Sequence, residues 1–219
     1  MKIQKILLLL IACSMFGTIY MYNSLPDRVP LLRDFNGDVF KTSGKYYVLI
    51  SSALPLLILA ISWIALKIEP RQKNVEHNNA VRQILILLVT ILFVGAHWLN
   101  IADAMKYPVN VSIIGKIISG ILFMVMGNYL PVIRYNYSFG LRNPWTLASE
   151  RVWTKIHRIG GRLFIIQGLS MIALVFIGNK PWIFILLAVF ILQTIFIYIY
   201  SLILYRRESV KQEIGVKLK

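Results

Sequence analysis

Acidic side chains are scarce in this 219-residue chain: nine Asp and Glu stand against 24 Lys and Arg, for a formal net charge of +15. Cysteine is scarcer still. The single Cys13 excludes an intrachain disulfide and any multi-cysteine metal site, which leaves three histidines and the few carboxylates as metal candidates. Charge of either sign is thin, at 15% against the roughly 25% of a soluble domain. Apolar residues take its place, with 58% hydrophobic and a mean hydropathy of +0.67. These proportions exclude an ordinary soluble domain and indicate an integral membrane protein. In a soluble chain the basic excess would point to nucleic acid. In a membrane protein Lys and Arg also act as topology signals, so the excess needs sorting first.

Lys2 and Lys5 precede an apolar run from Ile6 to Tyr22, just long enough to cross the hydrocarbon core. Leu10-Ile11-Ala12-Cys13 resembles a lipoprotein cleavage site. The run continues through Met15, Phe16, Ile19 and Met21 with no polar start after the cysteine, so a retained helix is expected. Further spans are expected at Tyr46–Leu66, Ile84–Ala102, Val111–Ile133, from about residue 159 to Ile177, and at Trp182–Tyr205, with Pro55 tolerated inside the second. The fold class is therefore all-α, a six-helix membrane bundle. Residues 1–66 hold two spans and the loop 23–45, 67–83 a polar linker, 84–205 four more spans with the loop 134–158, and 206–219 a polar tail.

The loop 23–45 carries Pro26, Pro30 and the turn signal Asn36-Gly37, and it is long enough for a small folded hairpin. Its Asp34, Asn36 and Asp38 suggest a calcium loop, but Val39 and Lys45 stand where that pattern needs glycine and glutamate. Gly178-Asn179-Lys180-Pro181 reads as a tight turn between the last two spans.

Sorted by side, 17 Lys and Arg flank the spans on the face shared by the N-terminus, linker, long loop and tail, against 6 on the other. Lys116 alone falls inside a span. This asymmetry predicts both termini in the cytoplasm and accounts for the basic excess without a nucleic-acid partner.

Few polar residues lie at membrane depth. His97, Asn100 and Asp103 follow each other at three-residue spacing along one slowly drifting face of the third span, and Lys116 opens the fourth, its antiparallel neighbour. Either Asp103 and Lys116 form a structural ion pair, or the set relays protons or ions. One histidine and one carboxylate are too few for a metal site. Gly115 with Ser119, and Gly120 with Gly127, suit close helix packing, and Gln167 and Gln193 suit an interhelical hydrogen bond.

The richest polar stretch is Gly127 to Arg162. Pro144 disfavours helical geometry at Asn143, and Gly140 permits a positive φ, so residues 140–145 form a turn. Thr146 or Ser149 can then cap a helix running into Gly160, with Val152, Trp153, Ile156 and Ile159 on one face and Arg151, Lys155 and Arg158 beside it. This reads as an interfacial amphipathic helix, its tryptophan at headgroup level and its cations toward anionic lipid. The stretch is either a rigid elbow, with Arg142 bonded to carbonyls and Asn128 and Asn136 capping helix ends, or a cationic surface for a partner. Catalysis is not expected: His157 has no nucleophile near it, and Glu150 is the loop's one acid. No cofactor is expected either.

The motifs of this stretch resemble the SdpI family of bacterial membrane immunity proteins. They are GNYLP (Gly127 to Pro131), NYSFGLRNPW (Asn136 to Trp145), Thr146-Leu147, Trp153, His157-Arg158 and Gly160-Gly161. LPDRVP (Leu25 to Pro30) followed by FNG resembles the small domain of unknown function that precedes this region in the family. Leu32 stands where many relatives carry histidine, which speaks against a histidine role in the outer loop. The resemblance implies a multi-pass protein of the bacterial cell membrane that protects its cell from a secreted toxic peptide. It also implies, for some relatives, recruitment of a cytoplasmic transcriptional repressor. The competing reading is a small proton- or ion-coupled transporter using His97, Asp103 and Lys116.

Overall fold

The computed structural model describes residues 2–33, 38–177 and 182–217. The helices are α1 (Lys2–Met21), α2 (Tyr46–Lys67), α3 (Gln72–His77), α4 (Asn79–Ala104), α5 (Val111–Tyr129), α6 (Pro144–Ala148), α7 (Glu150–Ile177) and α8 (Trp182–Lys217). Two strands, β1 (Arg28–Arg33) and β2 (Val39–Gly44), lie between α1 and α2. Six helices, α1, α2, α4, α5, α7 and α8, are long and apolar enough to cross a membrane. Between 11% and 28% of each apolar window is buried within the protein, so most of that surface needs an apolar surrounding. The expected spans and the membrane class agree with this. The Asn36-Gly37 turn and the turn at residues 178–181 lie outside the described residues.

The fold is mostly helical rather than all-α. β1 and β2 pair antiparallel, with Arg28 opposite Gly44 and irregular register on either side of Leu32. Val29 of this hairpin is fully buried with Leu25, Val48 and Ile101, forming a small core at one end of the bundle, here the hairpin end. The opposite end carries α3, the segment 130–149 and the approach to the tail, and is the basic end.

Local chemistry sets the helix limits. α4 stops in a paired cap: the Lys106 N–H donates to Asp103 O and the Tyr107 N–H to Ala102 O, both at 2.9 Å, with Lys106 at φ 61 where glycine is usual. α5 starts at Asn110, whose side chain accepts from the Ile113 N–H at 3.0 Å. Within α2, Pro55 removes a ladder bond, and the hydroxyls of Ser51 and Ser52 donate back to Val48 O and Leu49 O at 3.1 and 2.8 Å.

α5 and α7 meet along glycine. A Cβ on Gly127 would lie 2.5 Å from the Gly161 carbonyl oxygen, and one on Gly161 equally close to the Gly127 oxygen. About two turns further along, Gly120 and Gly168 repeat the arrangement, a Cβ on Gly120 falling 2.7 Å from Gly168 O. The two backbones touch, which suits lipid, where small residues and packing replace the hydrophobic drive. Gly115 faces open space and takes no part in this seam. Gln167 donates to Leu186 O of α8 at 3.4 Å rather than to Gln193.

The expected separate interfacial helix is replaced by two elements. α6 is a single short turn of helix, and α7 runs unbroken from Glu150 through the membrane-length span.

Candidate functional site

The segment from Ile133 to Ser149 forms an elbow between α5 and α7, built almost entirely from side-chain-to-backbone hydrogen bonds. Asn136, fully buried, accepts at Oδ1 from the Ser138 and Phe139 N–H groups at 2.8 and 2.9 Å and donates from Nδ2 to Arg134 O at 2.7 Å. It organises a loop turn rather than the helix end expected of it. Arg142 donates to Tyr137 O, as expected of an elbow. Asn143, not Thr146, is the cap of α6. Its Oδ1 accepts from the Thr146 N–H at 2.9 Å while Thr146 Oγ1 accepts from the Asn143 N–H at 2.9 Å, and Pro144 occupies the first turn, where its missing N–H costs nothing. Ser149, the other expected cap, does serve α7, accepting from the Val152 N–H at 3.3 Å.

Gly140 has φ +115, and a Cβ there would sit 2.5 Å from His157 Nε2 and 3.1 Å from the Trp153 ring, so no larger residue fits. His157 is fully buried. Its Nε2 accepts from the Leu141 N–H at 3.0 Å, which assigns the ring proton to Nδ1, and Nδ1–H donates to Trp153 O at 2.9 Å. Both ring nitrogens are thus used to hold the turn against α7. Trp153 stacks on His157 with centroids 4.0 Å apart, and its indole N–H donates to Ile133 O at 2.8 Å. The expectation of Trp153 at headgroup level fails, because protein covers that face. Leu130, Ile133 and Trp153 form one core, and Val152 and Ile156 another with Leu204 of α8. Trp145 meets the Tyr198 ring of α8 edge-on at 4.6 Å, and Asn143 Nδ2 donates to Ser201 Oγ at 2.8 Å.

The linker after α2 grips this elbow, which the sequence reading did not foresee. Glu69 is 3% exposed, and its carboxylate accepts from the Tyr137 N–H at 3.0 Å, the Arg71 N–H at 3.2 Å and the Ser138 hydroxyl. Hydrogen bonds to a charged group stabilise by about 1.5–3 kcal/mol, so this carboxylate is a strong fastener. Asn78 grips Arg134 twice, accepting from its N–H at 2.8 Å and donating to its carbonyl at 2.9 Å, and Asn74 donates to Tyr135 O at 2.8 Å. The Arg71 guanidinium lies 3.5 Å from the Tyr135 ring centroid and 4.0 Å from that of Tyr137. The available signal was the rarity of acid at a basic end: Glu69 stands one residue after Ile68, where α2 has just ended.

The remaining singled-out residues divide. Pro131 packs against Gly161. Asn128, Arg151, Lys155 and Arg158 are exposed. At the hairpin end His97 contacts Thr18 Oγ1 at 2.7 Å and Ser51 Oγ at 2.9 Å, joining α1, α2 and α4, and Asn100 donates to Pro30 O of the hairpin at 3.0 Å. His97 and Asn100 therefore serve different elements. Asp103 and Lys116 are half-buried on α4 and α5.

Residues 132–201, covering the elbow, α6, α7 and the first part of α8, match the SdpI/YfhL protein family. This region is similar to that family. Over 200 residues, 89% of this chain and 92% of the relative, the chain is 25% identical to the immunity protein SdpI of Bacillus subtilis (strain 168). No solved structure matches. Within the matched region, Asn136, Gly140, Asn143, Thr146, Trp153 and His157 are the residues that make the elbow, and Gly161 and Gly168 are those that bring α7 onto α5.

Proposed function

We propose that this protein is a multi-pass immunity protein of the bacterial cell membrane, protecting its cell against a secreted toxic peptide. The observation that carries this reading is the likeness to the immunity protein SdpI, which extends over nearly the whole of both chains and includes the hairpin. In this reading the hairpin end faces outward and both termini face the cytoplasm, in keeping with the distribution of Lys and Arg. The hairpin presents Phe40, 76% exposed, with exposed Val39 before it, and Tyr46 is exposed at the start of α2, apolar surface suited to an amphipathic or apolar peptide arriving at the membrane. No covalent chemistry is required: sequestration of the peptide by hairpin and bundle keeps it from the bilayer. The elbow, with exposed Arg134, Arg142 and Arg158, is the surface on which an acidic patch of a repressor would dock.

Expression in a toxin-sensitive bacterium, followed by exposure to secreted peptides from related producers, tests the first part. Survival that rises with the intact chain and falls with Phe40→Glu supports it, and no protection across the whole panel overturns it. Retention of a DNA-binding repressor in the membrane fraction, lost in an Arg134→Glu/Arg142→Glu variant, tests the second.

A further inference from the structure

We propose that the groove between the start of α7 and the end of α8 is a binding site for the phosphate headgroup of an anionic phospholipid. The groove has a volume of about 910 Å³ and is lined by Arg151 and Lys155 of α7 and by Arg206 and Arg207 of α8, with Leu204 and Val210 supplying apolar wall. All four cations are exposed, and none makes a hydrogen bond or ion pair among the described residues. Glu208, the acid in the lining, already accepts from the Ser149 hydroxyl at 2.7 Å and so fastens α8 to the start of α7. Four like charges are thus drawn together by the packing of two helices, against the single carboxylate of Glu208 in the same lining, so the groove keeps a cationic excess. Like charges lining one groove repel, and a ligand bearing negative charge relieves that repulsion.

Depth selects the source of that charge. The apolar part of α8 runs from Trp182 to Tyr205, about 36 Å at the helical rise, against a hydrocarbon core of about 30 Å. Arg206 and Arg207 follow at once, at the level of lipid phosphates. α7 lies against α8, and the groove shows that its Arg151 and Lys155 reach the same level. A basic pocket between membrane helices at this depth recognises anionic headgroups, and Leu204 and Val210 suit the glycerol and upper acyl region. This goes beyond the immunity reading and does not depend on it.

The test uses the full chain purified in a neutral detergent and mixed with phosphatidylglycerol or phosphatidylcholine, with retained lipids counted by native mass spectrometry. The wild type is expected to retain phosphatidylglycerol in preference to phosphatidylcholine. Arg206→Gln/Arg207→Gln and Arg151→Gln/Lys155→Gln should each weaken that retention about 30-fold, from two surface cations removed. Arg206→Lys/Arg207→Lys should keep most of it, and Lys41→Gln/Lys106→Gln, at the hairpin end, all of it. Equal retention of both lipids, or Gln variants that bind like wild type, would overturn the proposal. Displacement of the lipid by millimolar inorganic phosphate would reassign the groove to a soluble anion, and displacement by an acidic peptide would reassign it to a protein partner. Should a double variant lose its cooperative thermal unfolding, Arg206→Gln and Lys155→Gln alone replace it, each with about a fivefold loss expected.

Discussion

The two ends of the bundle solve the same problem by different means. A chain leaving a membrane helix must satisfy its backbone polar groups, and at the hairpin end it does so with a backbone ladder, β1 on β2, resting on the small core of Val29, Val48 and Ile101. At the basic end no strand is present among the described residues. There the elbow's backbone is held by side chains, many of them remote in sequence: Glu69 to Tyr137, Asn78 to Arg134, His157 to Leu141, Trp153 to Ile133. A backbone ladder tolerates change of side chain, whereas a side-chain framework does not. The comparison therefore predicts that the basic end is intolerant of substitution and the hairpin end permissive.

The largest effect should come from Gly140→Val, which adds a branched side chain at φ +115 against His157 and Trp153. A loss of about 3–4 kcal/mol is expected, read as a lowered thermal midpoint in detergent or as failure to accumulate in membranes. Next, Glu69→Ala leaves the Tyr137 and Arg71 N–H groups without their carboxylate acceptor, while the Ser138 hydroxyl keeps only Ala65 O. It should cost about 2–3 kcal/mol and hasten tryptic cleavage at Lys67, Arg71 and Lys73 in inside-out vesicles, which present the linker to the protease. At the hairpin end Asn100→Ala removes one bond to Pro30 O, and a loss near 1 kcal/mol should leave the linker as protease-resistant as in wild type. The smallest change reverses sign. Lys106→Gly relieves a positive φ, and should raise the thermal midpoint by the equivalent of about 0.5–1 kcal/mol. Gly140 and Lys106, one at each end, thus form a matched pair of left-handed positions with opposite expected outcomes.

How much of this could be read from residues alone depends on the reach of each interaction. The six spans were legible because apolar runs and flanking cations are local signals. Of the turn expected at residues 140–145, residues 140–143 were legible for the same reason, through Gly140 and the restriction Pro144 places on Asn143, whereas Pro144 and Trp145 are helical and open α6. The apolar face of Val152, Trp153 and Ile156 was found by its period, but not what would cover it. Periodicity identifies a face and is silent on its neighbour, so Trp153 was expected in the headgroups and lies instead under Ile133 and Leu130. Glu69 and Asn78 left no pattern near themselves, since their partners lie 68 and 56 residues away. Gly120 and Gly127 were marked for packing, yet nothing in their spacing named Gly168 and Gly161.

That glycine seam also bears on how the protein enters the membrane. α5 has the lowest hydropathy of the six candidate spans and carries Lys116, so on its own it partitions into lipid less readily than its neighbours. Its partner along the seam is the very next span to leave the ribosome. The reciprocal Gly127–Gly161 and Gly120–Gly168 contacts let the pair be taken up as one preassembled hairpin, with the weaker span carried in by the close fit of the following one.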